Sequence, residues 1–181
     1  MENKEKLRNL LLDSAGNIEY TYVAHWNIVN RKKNEFFVIK IFQILLTAVS
    51  TVGLISTISK GVSWLSWSGG VCSALALFLN LFMLNFKPSE EIKIHTDAAN
   101  DLWDVREAYK SLIVDFDDLS IEEIRKKRDE LLQKTGEINK KYPGTDEKSF
   151  TKAQKEIGKY TFSKGESEKL LNFDNQNKGN D

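Results

Sequence analysis

The sequence predicts an all-α membrane protein: a two-helix transmembrane hairpin with cytoplasmic helical arms that form a small bundle or coiled coil. Three observations lead there. Charge is segregated, because the 181 residues hold 26 basic and 26 acidic side chains, yet only Lys40 and Lys60 lie between Phe36 and Phe86. Two uncharged runs, Ile41 to Ser59 and Gly61 to Phe86, each reach the length of about 20 apolar residues that a spanning helix needs. The charge-rich remainder carries apolar residues at helical spacing, with a heptad seam after the second run. That remainder is too polar to wrap the apolar residues, which argues against a buried hairpin in a soluble protein. A formal net charge of zero predicts no polyanionic partner, so no direct nucleic acid binding is expected.

The N-terminal arm, residues 1–35, begins with MENKEKLRNLLLDSAG, which reads as a short charged helix ending near Ala15-Gly16. Ile18, Tyr22, Trp26 and Val29 then recur at 4-4-3 spacing and lead to Phe36, one helical face continuous with the first span. The apolar region starts too far along the chain, and is too long, for a cleavable signal peptide.

The hairpin covers 36–86, with spans at about 36–59 and 62–86 and a turn at Ser59-Lys60-Gly61. Helices are forced here because lipid offers no partners for backbone N–H and C=O groups. Arg31, Lys32, Lys33 and Lys40 flank the first span and Lys87 and Lys93 follow the second, while the intervening loop has Lys60 alone. The positive-inside bias therefore predicts both termini in the cytoplasm. Trp64 and Trp67 suit the outer interface, and Phe36, Phe37 and Phe86 the inner one. The Arg31-Lys32-Lys33 triplet, beside a span, reads as a topology anchor rather than a nucleic-acid patch. Cys72 lies within the apolar stretch, so no intramolecular disulfide can form and the thiol reads as a small buried hydrophobe.

Polar residues inside the spans mark the candidate site. Gln43, Thr47, Ser50, Thr51 and Thr57 share one face of the first span; Ser66, Gly69, Gly70, Ser73 and Asn80 share one face of the second. Such stripes serve helix–helix packing, since small residues permit close approach and polar side chains bond across the interface, and Ser66-x-x-x-Gly70-x-x-x-Ala74 fits that use. Packing is the leading use at any one residue; the second is to line a water-filled pore, the two can coexist in an oligomer, and Gln43 and Asn80 are the costliest to expose to lipid. Two helices cannot enclose a conduit, so a pore demands a homo-oligomer. We assign Gln43, Thr47, Ser50 and Thr57 to a pore lining and Ser66, Gly70, Ser73 and Asn80 to hairpin packing.

The C-terminal helices occupy 87–160. Pro88 ends the second span's helix and Ser89 opens a new one. Ala98, Leu102, Val105, Tyr109, Leu112 and Phe116 follow at 4-3-4-3-4 spacing, and Asp117-Asp118 breaks the seam. Ser120-x-x-Glu123 is a capping box, and Ile121, Ile124, Leu131, Leu132 and Ile138 form the apolar side of the next helix. Lys140 to Gly144 stops it. A weaker helix runs from about Asp146 to Tyr160, and the tail, 161–181, is polar enough to remain disordered.

No enzyme is visible. The sequence lacks a glycine-rich phosphate loop, paired cysteines and a Gly-x-Ser-x-Gly elbow, and it predicts no cofactor, no metal and no catalytic residue. His25 and His95 lie about 11 and 9 residues outside the hairpin and could share a depth at 1.5 Å per residue. Without a clustered third ligand they read as solvated or locally hydrogen-bonded rather than as a metal or pH-sensing pair. Glu122 to Arg128 reads as a solvated face with local ion pairs, and Asp115, Asp117 and Asp118 as a helix stop rather than a divalent-cation site.

The segment HWNIVNRKKNEFF (His25 to Phe37), the tight two-span hairpin with almost no outer loop and the helical extension within about ten residues of the second span resemble the SLATT family. These are two-transmembrane effectors of bacterial conflict systems, and the resemblance covers roughly residues 18–142. It offers no catalytic residue to carry over. It implies an inner-membrane effector, answering a cognate sensor protein, that perforates or depolarises the membrane and so causes cell death or growth arrest during phage attack. The sensor could be a nucleotide-second-messenger synthase, a nucleotide-binding module or a reverse transcriptase. The alternative reading is a non-conducting membrane anchor or scaffold, or an accessory transporter subunit, that tethers a cytoplasmic partner through the heptad helix.

Overall fold

The structure is a computed structural model that describes residues 2–60 and 63–160, with side chains for 4–55, 64 and 67–157. Among these residues every regular element is helical: α1 (Glu2–Lys60), α2 (Ser63–Phe86), α3 (Pro88–Val114), a 3-10 turn at Asp115–Asp117, α4 (Ile121–Lys141) and α5 (Glu147–Tyr160). The all-α hairpin architecture is the one the sequence predicts. Ser59 and Lys60 close α1; Gly61 of the expected turn and the tail from 161 lie outside the described residues.

Two boundaries differ from the sequence expectation. No helix ends near Ala15-Gly16, because α1 runs through Gly16 without interruption. A glycine inside a helix costs only about 1 kcal/mol relative to alanine. Leu11 and Ile18, one heptad apart on the same face, are both buried and hold the two sides in register. Pro88 begins a helix rather than ending one. The break falls at Lys87, whose φ of 40° is left-handed, and Pro88 takes the first helical position, where its missing N–H leaves no bond unmade. Glu90 and Glu91 then fill the first turn, and Lys87 Nζ reaches Glu90 at 2.9 Å.

The chain divides into two units, one of residues up to Val29 and from Lys93 onward, the other Asn30–Ile92. The first is a helical bundle. Its core joins Leu7, Leu11 and Ile18 of α1, Leu102, Val105, Tyr109, Leu112 and Ile113 of α3, Phe116 of the 3-10 turn, and Ile124 and Leu131 of α4. All six heptad positions of α3 and its turn are buried, so the seam is consumed by packing within the chain. Leu132, expected on the same side of α4, is 48% exposed, since it sits about 100° around the helix from Leu131.

The ends of α4 follow their local chemistry. Ser120 Oγ accepts from the Glu123 N–H while the Glu123 carboxylate accepts from the Ser120 N–H, which completes the capping box. At the other end, Tyr142 Oη and Lys141 Nζ both donate to Asp101 of α3, at 2.7 and 2.9 Å. Those two bonds hold the Asp101 carboxyl below the usual carboxylate range. Asp117, expected only as part of a helix stop, also faces Lys4 and Arg8 of α1 at 4.0 and 3.8 Å. Arg106 of α3 pairs with Glu19 of α1 and lies over the rings of Trp103 and Tyr22, which shields an ion pair that sequence spacing did not reveal. Helix α5 begins with Asp146 accepting from the Ser149 N–H and buries Ala153 and Ile157. Its Phe150 meets Tyr20, and Asn27 of α1 donates to the Glu156 carboxylate at 3.0 Å.

Candidate functional site

In the unit Asn30–Ile92, the C-terminal part of α1 runs beside α2. Both helices are long and apolar enough to cross a membrane, and only 11% of each apolar window is buried within the protein. A core helix of a soluble protein would be mostly buried. Here Phe37, Ile44, Leu54, Leu77, Phe78 and Leu84 each leave 60% or more of their surface exposed. An apolar surface of that extent is costly in water and suits lipid.

The two helices meet along seams in which small and polar residues alternate with large apolar ones. On α1 the covered positions are Ile39, Gln43, Leu46, Ser50 and Gly53; on α2 they are Gly69, Cys72, Ala76, Leu79 and Met83. Each seam repeats at alternating three- and four-residue steps, the spacing of helices that cross at a shallow angle. The tightest approach is at Gly69, where a Cβ would stand 3.4 Å from Gly53 Cα and 3.5 Å from the Ser50 carbonyl oxygen. Small residues at this level let the two backbones touch, as membrane helix pairs require.

Gln43 and Asn80, assigned from sequence to different stripes, are brought together: the Gln43 side-chain amide donates to the Asn80 side-chain carbonyl. Each thereby satisfies part of the polar demand that makes it expensive in lipid. Ser50 is buried beside Gly69 and donates to the Leu46 carbonyl at 2.9 Å. Thr47 is exposed on the hairpin's outside, its hydroxyl turned back to the Gln43 carbonyl at 2.9 Å, and Thr51 does the same to Thr47. Ser73 and Gly70 are also exposed, and a Cβ at Gly70 would meet nothing within 4 Å. The side chains of Thr57 and Ser66 lie outside the described residues.

Gly53 is the contact that reading the sequence by polarity missed. A glycine carries no polarity signal, and its partner Gly69 sits next to the more conspicuous Gly70 motif. The signal that finds it is periodicity: 39, 43, 46, 50 and 53 form a strict seam once Gly53 is counted as a packing residue. At the hairpin's flanks Lys32 pairs with Glu91 at 3.1 Å and Arg31 with Glu35 at 3.9 Å, so two members of the basic triplet are engaged locally.

In the bundle, the two histidines depart from the sequence expectation. They are neither solvated nor bonded only to their own helices: both are buried, and His25 Nδ1 lies 2.8 Å from His95 Nδ1. Burial, with the neighbouring His95 second, pushes the His25 imidazole down from its ordinary 6.5 to about 4. Among the described residues no cluster of three or more metal-ligating side chains occurs.

The family model described as SMODS and SLOG-associating 2TM effector domain family 4 matches residues 7–166. The match spans the N-terminal arm, the hairpin and all the C-terminal helices, and extends past Tyr142, where the resemblance read from the sequence ends. No curated protein and no solved structure matches the chain. The chain therefore belongs to this family of two-transmembrane effector domains, and it is a membrane protein.

Proposed function

Proceeding from membership of a two-transmembrane effector family, we propose that this protein is a bacterial inner-membrane effector of an anti-phage or conflict system. Triggered by a partner sensor, it oligomerises, forms an ion-permeable path or otherwise depolarises the membrane, and causes death or growth arrest. The family is described as SMODS- and SLOG-associating, and on this reading the sensor is of one of those kinds. Both termini face the cytoplasm, a topology supported by the Arg31, Lys32, Lys33, Lys40, Lys87 and Lys93 flanks against Lys60 alone.

The observation that carries this reading is polar and small residues on the outside of a lipid-sized hairpin. Thr47, Gly70, Ser73 and Asn80 are exposed in the single chain, where a greasy surface would serve an inert anchor better. Assembly of several hairpins gives these residues protein or water in place of lipid. Gln43, Thr47 and Thr57 then supply the polar lining and Ser66, Gly70, Ser73 and Asn80 the packing between hairpins, while Ser50, which the sequence also suggested for the lining, is buried against Gly69 and packs α1 onto α2 within one hairpin. The anchor reading is weaker because its proposed handle, the α3 heptad seam, is already buried in the bundle.

Single-channel recording on reconstituted protein tests the lining. Gln43→Leu and Thr47→Val are expected to lower conductance while membrane insertion stays at the wild-type level. Unchanged conductance in both variants removes the stripe from the pore.

A further inference from the structure

The sequence contains two histidines, and the fold brings both into one contact. They lie on the chain segments that lead into and out of the hairpin, one on α1 and one on α3, and each is at least 94% buried. An Nδ1-to-Nδ1 distance of 2.8 Å admits few protonation states. With both rings neutral, one Nδ1–H donates to the other's lone pair, so the two rings hold opposite tautomers. One additional proton can be absorbed at the distal nitrogens, leaving an imidazolium donating to a neutral ring. With both rings cationic, two N–H donors and two like charges face each other out of water, and the contact cannot persist.

We propose that His25 and His95 form a proton-operated clasp between α1 and α3, closed while at least one Nδ1 keeps its lone pair and opened when acid charges both rings. Several charged groups on the elements around the pair are engaged with partners of their own. On α1, Arg31 is paired with Glu35 and Lys32 with Glu91 of α3. On α3, Lys93 and Asp97 stand two residues to either side of His95, about 200° around the helix, and Asp101 is held by Lys141 and Tyr142. On α5, Glu156 is held by Asn27 and approached by Lys152. His95 is the group whose charge acts on His25.

The sign of the linkage follows. A histidine whose affinity for protons is lowered by folding leaves the unfolded chain binding more protons between about 4 and 6.5, so stability is fully present above that window and lost as pH falls through it. For one proton the folded-to-unfolded ratio falls by at most about tenfold per pH unit there.

The test uses the full chain in lipid nanodiscs with ¹⁵N-labelled histidine, where two rings give an unambiguous spectrum. At pH 7.5 one Nδ1 is expected to carry a proton and the other not, and His25 to remain neutral well below 6.5. Two unprotonated Nδ1 atoms at neutral pH, or two rings charging independently near 6.5, overturn the clasp. The double variant His25→Asn, His95→Asn replaces the shared proton with an amide pair that does not titrate. Its stability is expected to lose most of the slope between pH 6.5 and 4; the wild-type slope in that variant overturns the proposal as well. The spectrum of the unmodified chain decides if the variant does not fold. Neither readout depends on what the hairpin conducts.

Discussion

Phe116→Ala should cost the helical bundle about 3–5 kcal/mol, the usual range for truncating a buried aromatic ring to a methyl group. Phe116 is 2% exposed and ends the α3 seam at the 3-10 turn, where it packs into the cluster formed by α1, α3 and α4. Its ring also lies 5.4 Å from Lys4 Nζ and 5.6 Å from the Arg8 guanidinium, cations that lose an aromatic face with it. Domains of this size hold only about 5–15 kcal/mol in total, so the variant should unfold early in denaturant. Guanidinium titration of the reconstituted chain, followed by fluorescence, reads the shift. Val114→Ala is the control: Val114 is two residues away but 70% exposed, so its loss should stay within about 0.5 kcal/mol. Equal effects from the two would contradict the assignment of the core.

Gly69→Leu and Gly70→Leu should separate contact within a hairpin from contact between hairpins. At Gly69 a Cβ already touches Gly53 Cα at 3.4 Å, so the branched remainder of a leucine has nowhere to go unless α1 and α2 part. Overpacking of this kind costs about 1–3 kcal/mol, and more where backbone rather than side chain stands in the way. Gly70 has nothing within 4 Å, so Gly70→Leu leaves the hairpin of a single chain intact. If Gly70 packs hairpins together in the oligomer, that variant lowers assembly instead. Cross-linking between Cys residues placed on α1 and α2, in a Cys72→Ser background, measures the first effect; oligomer size in mild detergent measures the second. Loss of the intrachain cross-link in Gly70→Leu but not in Gly69→Leu would contradict the described seam.

Much of this arrangement was legible in the sequence because its causes are local. The charge-free runs, the heptad from Ala98 to Phe116 and the Ser120–Glu123 box each specify their structure within a few residues. The helix through Gly16 was not legible, because what overrides the glycine is burial of Leu11 and Ile18 against α3, a non-local cause. At Pro88 the reason is local instead: proline is compatible with both a helix stop and a first helical position, and the left-handed Lys87 before it decides between them. The candidate site was half legible. Polarity pointed to Gln43 and Asn80 without showing that they bond to each other, and it passed over Gly53, whose contribution is the absence of a side chain. The histidines could be placed at one depth from their distances to the hairpin, but their burial depends on how α1 and α3 pack.

Membrane potential in living bacteria tests the central claim most directly. The chain, fused to a chemically inducible oligomeriser, is expressed in cells loaded with a potential-sensitive dye, beside a variant at matched expression in which charges disrupt the hairpin. The account predicts depolarisation on adding the inducer, absent in the disrupted variant. A steady potential, with insertion and clustering both verified, would contradict it and leave the protein as a membrane anchor.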